Sequence, residues 1–213
     1  MSKLDKEIRE DIRELMECGE ISAAVALGPV MKPMSDVHEG FSAKGLPQYF
    51  TGDRRGKTVM VNLNPGMDAK KADEQWDGKK KSFSGYSEDA LIEYLLDQHA
   101  NFGLYDEDKS NPGKLRYDEF DVKQAAFLTP WKHSGIGLPE NPDWSDRDAC
   151  IDAKTKAICN KCQLELVPYA SSKFAINPKH IHLFRPYVDV LLDEIFSQPR
   201  EYVIFASAIF ENI

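Results

Sequence analysis

The sequence predicts an α/β protein of three layers, with helices on both faces of a mainly parallel central sheet. Three short runs carry that expectation: Thr58–Leu63 (TVMVNL), Gln163–Val167 (QLELV) and Tyr202–Phe205 (YVIF). Each has the length and the β-branched or aromatic content of a buried strand. Amphipathic helical patterns separate them, and strands alternating with helices pair in parallel through crossover connections.

Taken in order, Leu4, Ile8, Ile12, Leu15 and Met16 recur at helical spacing, so a helix is expected over 3–17, ending near Gly19. Residues 20–31 are apolar and Ala-rich, a second helix closed by Pro33, which makes 1–33 an N-terminal helical segment. Gly and Pro crowd 34–56, which reads as an ordered loop. The strand in KTVMVNLNPG then stops at Asn64-Pro65-Gly66. Pro65 cannot donate to a ladder and holds Asn64 extended, while Gly66 permits a close ligand approach.

Residues 67–86 are polar and Lys-rich, with Trp76, Phe83 and Tyr86 interspersed. Ser87 reads as an N-cap, with Glu88 and Asp89 in the first turn and Leu91, Ile92, Leu95 and Leu96 on one apolar face. A second Asn-Pro-Gly at Asn111-Pro112-Gly113 follows no strand, so the tripeptide alone is a common turn. Val122–Trp131 fits a strand or a helix equally. Ser145 and Asp148 resemble a capping pair for a helix reaching Ile158. Pro168 stops the second strand, and Pro186 suits the first turn of a helix striped by Val188, Leu191, Leu192, Ile195 and Phe196. An α/β sheet ordinarily runs on past a strand such as 202–205, so either the sheet is completed elsewhere or the chain is truncated after Ile213.

With 213 residues, 42% apolar and 29% charged, the chain reads as one domain spanning 1–213. No apolar run approaches the roughly 18 residues of a membrane span, and MSKLDKEIRE lacks a signal core, so no membrane partner and a cytoplasmic location are expected. Four cysteines do not make a disulfide framework in a chain of this size. Cys150, Cys159 and Cys162 lack the complement of ligands that zinc or iron–sulfur sites need, so no metal is expected. Neither a Gly-rich phosphate loop nor a nucleophile motif is present, and no cofactor is expected.

The net charge of −8 argues against a generic polyanion binder, but the charge is sorted. Gly52–Lys81 carries eight Lys/Arg against five Asp/Glu, whereas Glu88–Asp121 holds ten acids and three bases. Ser171–Arg185 contains Lys173, Lys179, Arg185 and two histidines with no acid. Both basic segments follow strands, which places a basic rim at the carboxyl ends of the sheet, where open α/β folds bind ligands. Lys79, Lys80 and Lys81 read either as a solvated run or, interleaved with Trp76, Phe83 and Tyr86, as a nucleic-acid contact. Glu165, a carboxylate inside an apolar strand, needs a partner or a site role.

At NLNPG, joined to ELVPYASS about a hundred residues on, the sequence resembles the uracil-DNA glycosylase superfamily, in its mismatch-specific and single-strand-selective branches. The resemblance implies that family's fold and a base flipped out of single-stranded or damaged DNA. It implies that Asn64 positions the water attacking the deoxyribose C1′, that Phe83 stacks on the base and that Glu165 lies where the base edge is read. Pro65, Gly66 and Ser171 would line the same pocket, and Lys79, Lys80, Lys81 and Lys173 would contact the strand. Glu165 stands where the family has Asn; a carboxylate accepts from an N–H but cannot donate to a carbonyl, which favours bases bearing an exocyclic amine over uracil. The alternative is a non-catalytic ligand-binding or interaction module on the same fold.

Overall fold

The computed structural model describes residues 1–21, 42, 44–63, 66, 69–80, 83–100, 119–128, 148, 161–171, 182 and 184–212. In chain order the elements are α1 (Lys3–Cys18), β1 (Phe50–Gly52), β2 (Thr58–Asn62), α2 (Ala69–Lys80), α3 (Glu88–Ala100), α4 (Glu119–Leu128), β3 (Lys161–Glu165), α5 (Arg185–Phe196) and β4 (Tyr202–Phe205). A 3-10 turn follows at Ala208–Asn212. Among the described residues no helix is long and apolar enough to cross a membrane.

Local chemistry sets the helix starts. Ser2 and Asp5 form a reciprocal capping box, each side chain accepting from the other's backbone N–H at 3.1 and 3.0 Å. The Ser87 hydroxyl caps α3 by accepting from Ala90 N at 3.2 Å. Pro stands in the first turn of α5, where its missing donor costs nothing.

The four strands lie in the order β1-β3-β2-β4 and form a mixed sheet. β2 runs parallel to both β3 and β4, while β1 is antiparallel to β3. The expected neighbours, β2 and β3, are therefore adjacent, interior and parallel. β3 begins two residues earlier than its apolar run, at Lys161, because its register is set by β2 rather than by hydrophobicity. The pairing continues past both strand ends through Leu166 N to Asn62 O (2.9 Å) and Val167 N to Leu63 O (2.8 Å).

Two elements depart from the sequence reading. β1 lies in the stretch expected to be loop, since three residues are too few to show a period. α2 occupies the polar Lys-rich stretch; with little apolar periodicity, it leaves no amphipathic signature to read. The ambiguous segment at 122–131 resolves as helix α4 over Glu119–Leu128. Of the expected helix over 20–31 only Glu20 and Ile21 are described, neither of them helical, and all of the 145–158 helix except Asp148 lies outside the described residues.

Strand alternation divides the sheet into two unlike faces. Val59, Val61, Cys162 and Leu164 share one core with Leu4, Ile8, Ile12 and Leu15 of α1, Leu91 and Leu95 of α3, and Tyr187 and Ile195 of α5. At roughly 1.5–3 kcal/mol per buried aliphatic side chain, this face dominates stability. Beyond the amino end of β2, Arg54 ties α1 to α5. It pairs with Asp5 at 2.6 Å and Glu194 at 2.8 Å, and lies 5.2 Å from the Phe50 ring centroid. Burial alone would raise the Asp5 carboxyl, but the hydrogen bonds from Arg54 and Ser2 and the Arg54 charge together outweigh it and lower the pKa.

A carboxylate sits within the apolar layer. Asp11 of α1 is 1% exposed and accepts from the hydroxyls of Tyr49 and Tyr169, the latter at 2.7 Å. This joins α1 to the segments entering β1 and leaving β3. Burial pushes its carboxyl up to about 7; the two tyrosines oppose the shift, and Glu7 and Glu14 add to it.

A carboxyl whose pKa is raised on folding stabilises the fold at low pH and loses that contribution as pH rises through the folded value. Asp11 should therefore weaken the fold between about pH 4 and pH 7 by on the order of a few kcal/mol. In Asp11→Asn, urea unfolding across pH 4 to 8 should lose that component, so the gap between variant and wild type changes with pH. A gap constant in pH would contradict this role for Asp11.

Candidate functional site

The second face of the sheet is built from the alternate residues of β3. Lys161, Gln163 and Glu165 are polar, yet only 1%, 6% and 1% exposed. Burying such groups costs several kcal/mol unless each is hydrogen-bonded, and here they bond to one another. Lys161 Nζ donates to Gln163 Oε1 at 3.1 Å and to Gln124 Oε1 of α4. Gln124 Nε2 also donates to Gln163 Oε1, at 3.1 Å. Gln163 Nε2 then donates to Glu165 Oε1 at 2.7 Å. The result is a ladder running from a cation at one end of β3 to a carboxylate at the other.

The ladder ends at a partner on β2. Asn62 stands in register with Glu165, on the same face, at the carboxyl ends of two adjacent parallel strands. Glu165 Oε2 and Asn62 Nδ2 are buried, and neither makes a hydrogen bond of normal geometry. The Asn62 amide nonetheless lies close enough to act on the carboxylate. Burial pushes Glu165 up to about 7, while Gln163, Asn62 and Lys161 pull against that shift. Asn62 Nδ2 and Glu165 Oε2 thus have only each other to interact with among the described residues, two residues before Asn64.

The flanking segments are held in place by Ser42. Its backbone N donates to Ala170 O at 2.9 Å, and its hydroxyl donates to Asp73 of α2 and accepts from Gly45 N at 2.7 Å. Gly45 must lack a side chain, since a Cβ would stand 2.5 Å from Ser42 Oγ and 2.9 Å from Ala72 Cβ. These contacts dock α2 against the segment that carries Ser171, which is buried at 2% exposure.

The residues singled out from sequence fall into separate groups. Glu165 takes part in the ladder with Asn62, and Ser171 lies in the chain leaving β3. Gly66 is exposed, and a Cβ there would meet none of the described residues within 4 Å. Phe83 packs in an aromatic cluster, edge-on to Tyr86 at 5.4 Å and tilted against Tyr94 at 5.1 Å, and rests on the apolar core. Lys79 and Lys80 lie in the last turn of α2. Asn64, Pro65, Lys81 and Lys173 lie outside the described residues, as do Cys150 and Cys159. Cys162 is buried in the core, and burial pushes its thiol up to about 12. Among the described residues no group of three or more His, Cys, Asp or Glu could hold a metal.

Sequence reasoning missed Asn62, Lys161, Gln163 and Gln124. The signal for three of them was present in KCQLELV and VNL: polar residues on the strict alternate positions of otherwise apolar strands. Gln124 carried none, because α4 gave no clear period.

At the opposite end of the sheet, a groove of about 480 Å³ is lined by Phe50, Arg54, Leu96, Glu194 and Gln198, among others. It lies beyond the amino ends of β2 and β3, where Asp53 N donates to Lys161 O at 3.1 Å. Its central cation is already matched by Asp5 and Glu194. The groove joins helices to a turn, and among the described residues none of the buried side-chain atoms without a partner lies in its lining, whereas Asn62 and Glu165 each carry one.

Compared with known proteins, the chain matches no family model, no curated protein and no solved structure.

Proposed function

We propose that the chain is a DNA glycosylase-like protein that binds, and by way of Asn64 hydrolytically releases, a modified base flipped out of single-stranded or damaged DNA. On this reading the mixed sheet belongs to a three-layer, uracil-DNA glycosylase-like fold. The observation that carries it is the Asn62–Glu165 pair: a buried donor and a buried acceptor, side by side at the carboxyl ends of adjacent parallel strands. A base edge offers the complementary acceptor and N–H. Asn64 follows Asn62 by two residues and would orient water towards C1′. Pro65 and Gly66 would shape the turn. Phe83 would stack on the base, and Ser171 would close the pocket. Lys79, Lys80, Lys81 and Lys173 would contact phosphates, which keeps a protein of net charge −8 on flexible or damaged strands rather than intact duplex.

A second reading, a non-catalytic ligand-binding module on the same fold, is favoured by Glu165 itself. A carboxylate stands where the resembled family supplies an amide, and that suits binding a donor-bearing ligand without releasing it.

A panel of single-stranded oligonucleotides carrying uracil, hypoxanthine and alkylated bases separates the two. The glycosylase reading expects base release that falls by about 10²–10³ in Asn64→Ala, the usual consequence of losing one preorganised polar group. Binding without release would select the module, and release untouched by Asn64→Ala would remove Asn64 from the mechanism.

A further inference from the structure

The ladder on β3 is arranged with a direction. Gln163 accepts twice at its carbonyl oxygen, from Lys161 and from Gln124, so its amide end is left to face Glu165. Turned around, that side chain would set its carbonyl oxygen against the carboxylate and its amide against two donors. The orientation of Gln163 is therefore fixed from both ends, and the amide sits polarised between a cation and an anion.

We infer that Lys161 and Gln163 are positioning residues: through this hydrogen-bonded chain they fix the Glu165 carboxylate in place and favour its charged form, with Oε2 left beside Asn62 Nδ2 to meet a ligand's N–H. The inference rests on the reading of the Asn62–Glu165 pair as the ligand edge, and it assigns the control of that edge to residues that touch no ligand. Among the described residues, the groups acting on the carboxylate come from three elements besides its own strand. Lys161 and Gln163 come from its own strand, Asn62 from β2 and Gln124, through Gln163, from α4. The Tyr187 hydroxyl of α5 also feels Glu165, and its pKa is raised well above the ordinary tyrosine value, so it stays protonated. Lys161 is the cation among them. Burial favours the neutral acid and the ladder favours the anion, so their balance leaves Glu165 titrating near neutrality.

A neutral Glu165 loses most of its strength as an acceptor, so ligand capture through this edge should increase as pH rises through the titration of Glu165. Breaking the ladder should move that titration further upward. The test is a carboxyl NMR titration of ¹³C-Glu-labelled protein, with Glu165 assigned from Glu165→Gln. It is run on the wild type, Lys161→Met and Gln163→Met. The expected result is a Glu165 midpoint raised by about one pH unit in either variant. Gln163→Met leaves Lys161 in place, and Gln124→Met, which leaves β3 unaltered, offers a third route should both β3 variants fail to fold. Unchanged midpoints in folded variants would overturn the inference, because a merely structural role alters stability without moving a titration. Oligonucleotide binding followed over the same pH range distinguishes the two layers of the argument. A moved midpoint in a protein that binds no oligonucleotide would keep the ladder and discard the nucleic-acid reading; binding with an unmoved midpoint would do the reverse.

Discussion

The parallel pairing of β2 with β3 is the constraint on which the rest of the structure depends. Its register sets Val59 beside Cys162 and Val61 beside Leu164 on one face, and Asn62 beside Glu165 on the other. Because side chains alternate strictly, a slip of one residue would drive Lys161, Gln163 and Glu165 into the helix-packed core and expose its aliphatics. Few registers in a small sheet are penalised so heavily. The same pairing brings two polar ends together at the edge where Asn64 follows, so the apolar packing that stabilises the fold also builds the candidate site.

Much of this was legible in the sequence, and what was not has physical causes. Thr58–Asn62 and the β3 run were readable because buried interior strands are apolar and β-branched, and their adjacency followed from alternation with helices. β1 was hidden by its three-residue length, and α2 by its polar surface. Glu165 could be singled out because a carboxylate in an apolar strand demands a partner. The identity of those partners could not be read: Gln163 is close in sequence, but Gln124 and Asn62 meet Glu165's strand only through the fold. Phe83 could be singled out by its place among lysines, but its contacts could not: it packs against Tyr86 and Tyr94 beside α3.

Two of the buried carboxylates are shifted alike by burial but meet different partners. Asp11 and Glu165 are both pushed up to about 7 by burial. Asp11 is met by tyrosine hydroxyls that join α1 to the chain around β1 and β3, and their hydrogen bonds oppose the effect of burial. Glu165 is met by an amide chain leading back to a lysine, which favours the ionised form. His99 runs opposite to both: its burial lowers it to about 4, so it stays neutral, and its ring packs against Phe50 at 5.2 Å. Both carboxyls therefore lose stabilising effect as pH rises towards 7, from opposite faces of one sheet.

The claim that the ligand edge lies at Asn62 and Glu165, and not in the Arg54 groove, is tested most directly by amide chemical-shift mapping. ¹⁵N-labelled protein is titrated with a single-stranded oligonucleotide carrying a deaminated or alkylated base. The expected result is that the Asn62 side-chain amide and the backbone amides of Leu63, Leu166 and Val167 move first and furthest. Shifts concentrated at Gly52–Arg55 and Gln198, with the β2 and β3 carboxyl ends unmoved, would contradict it.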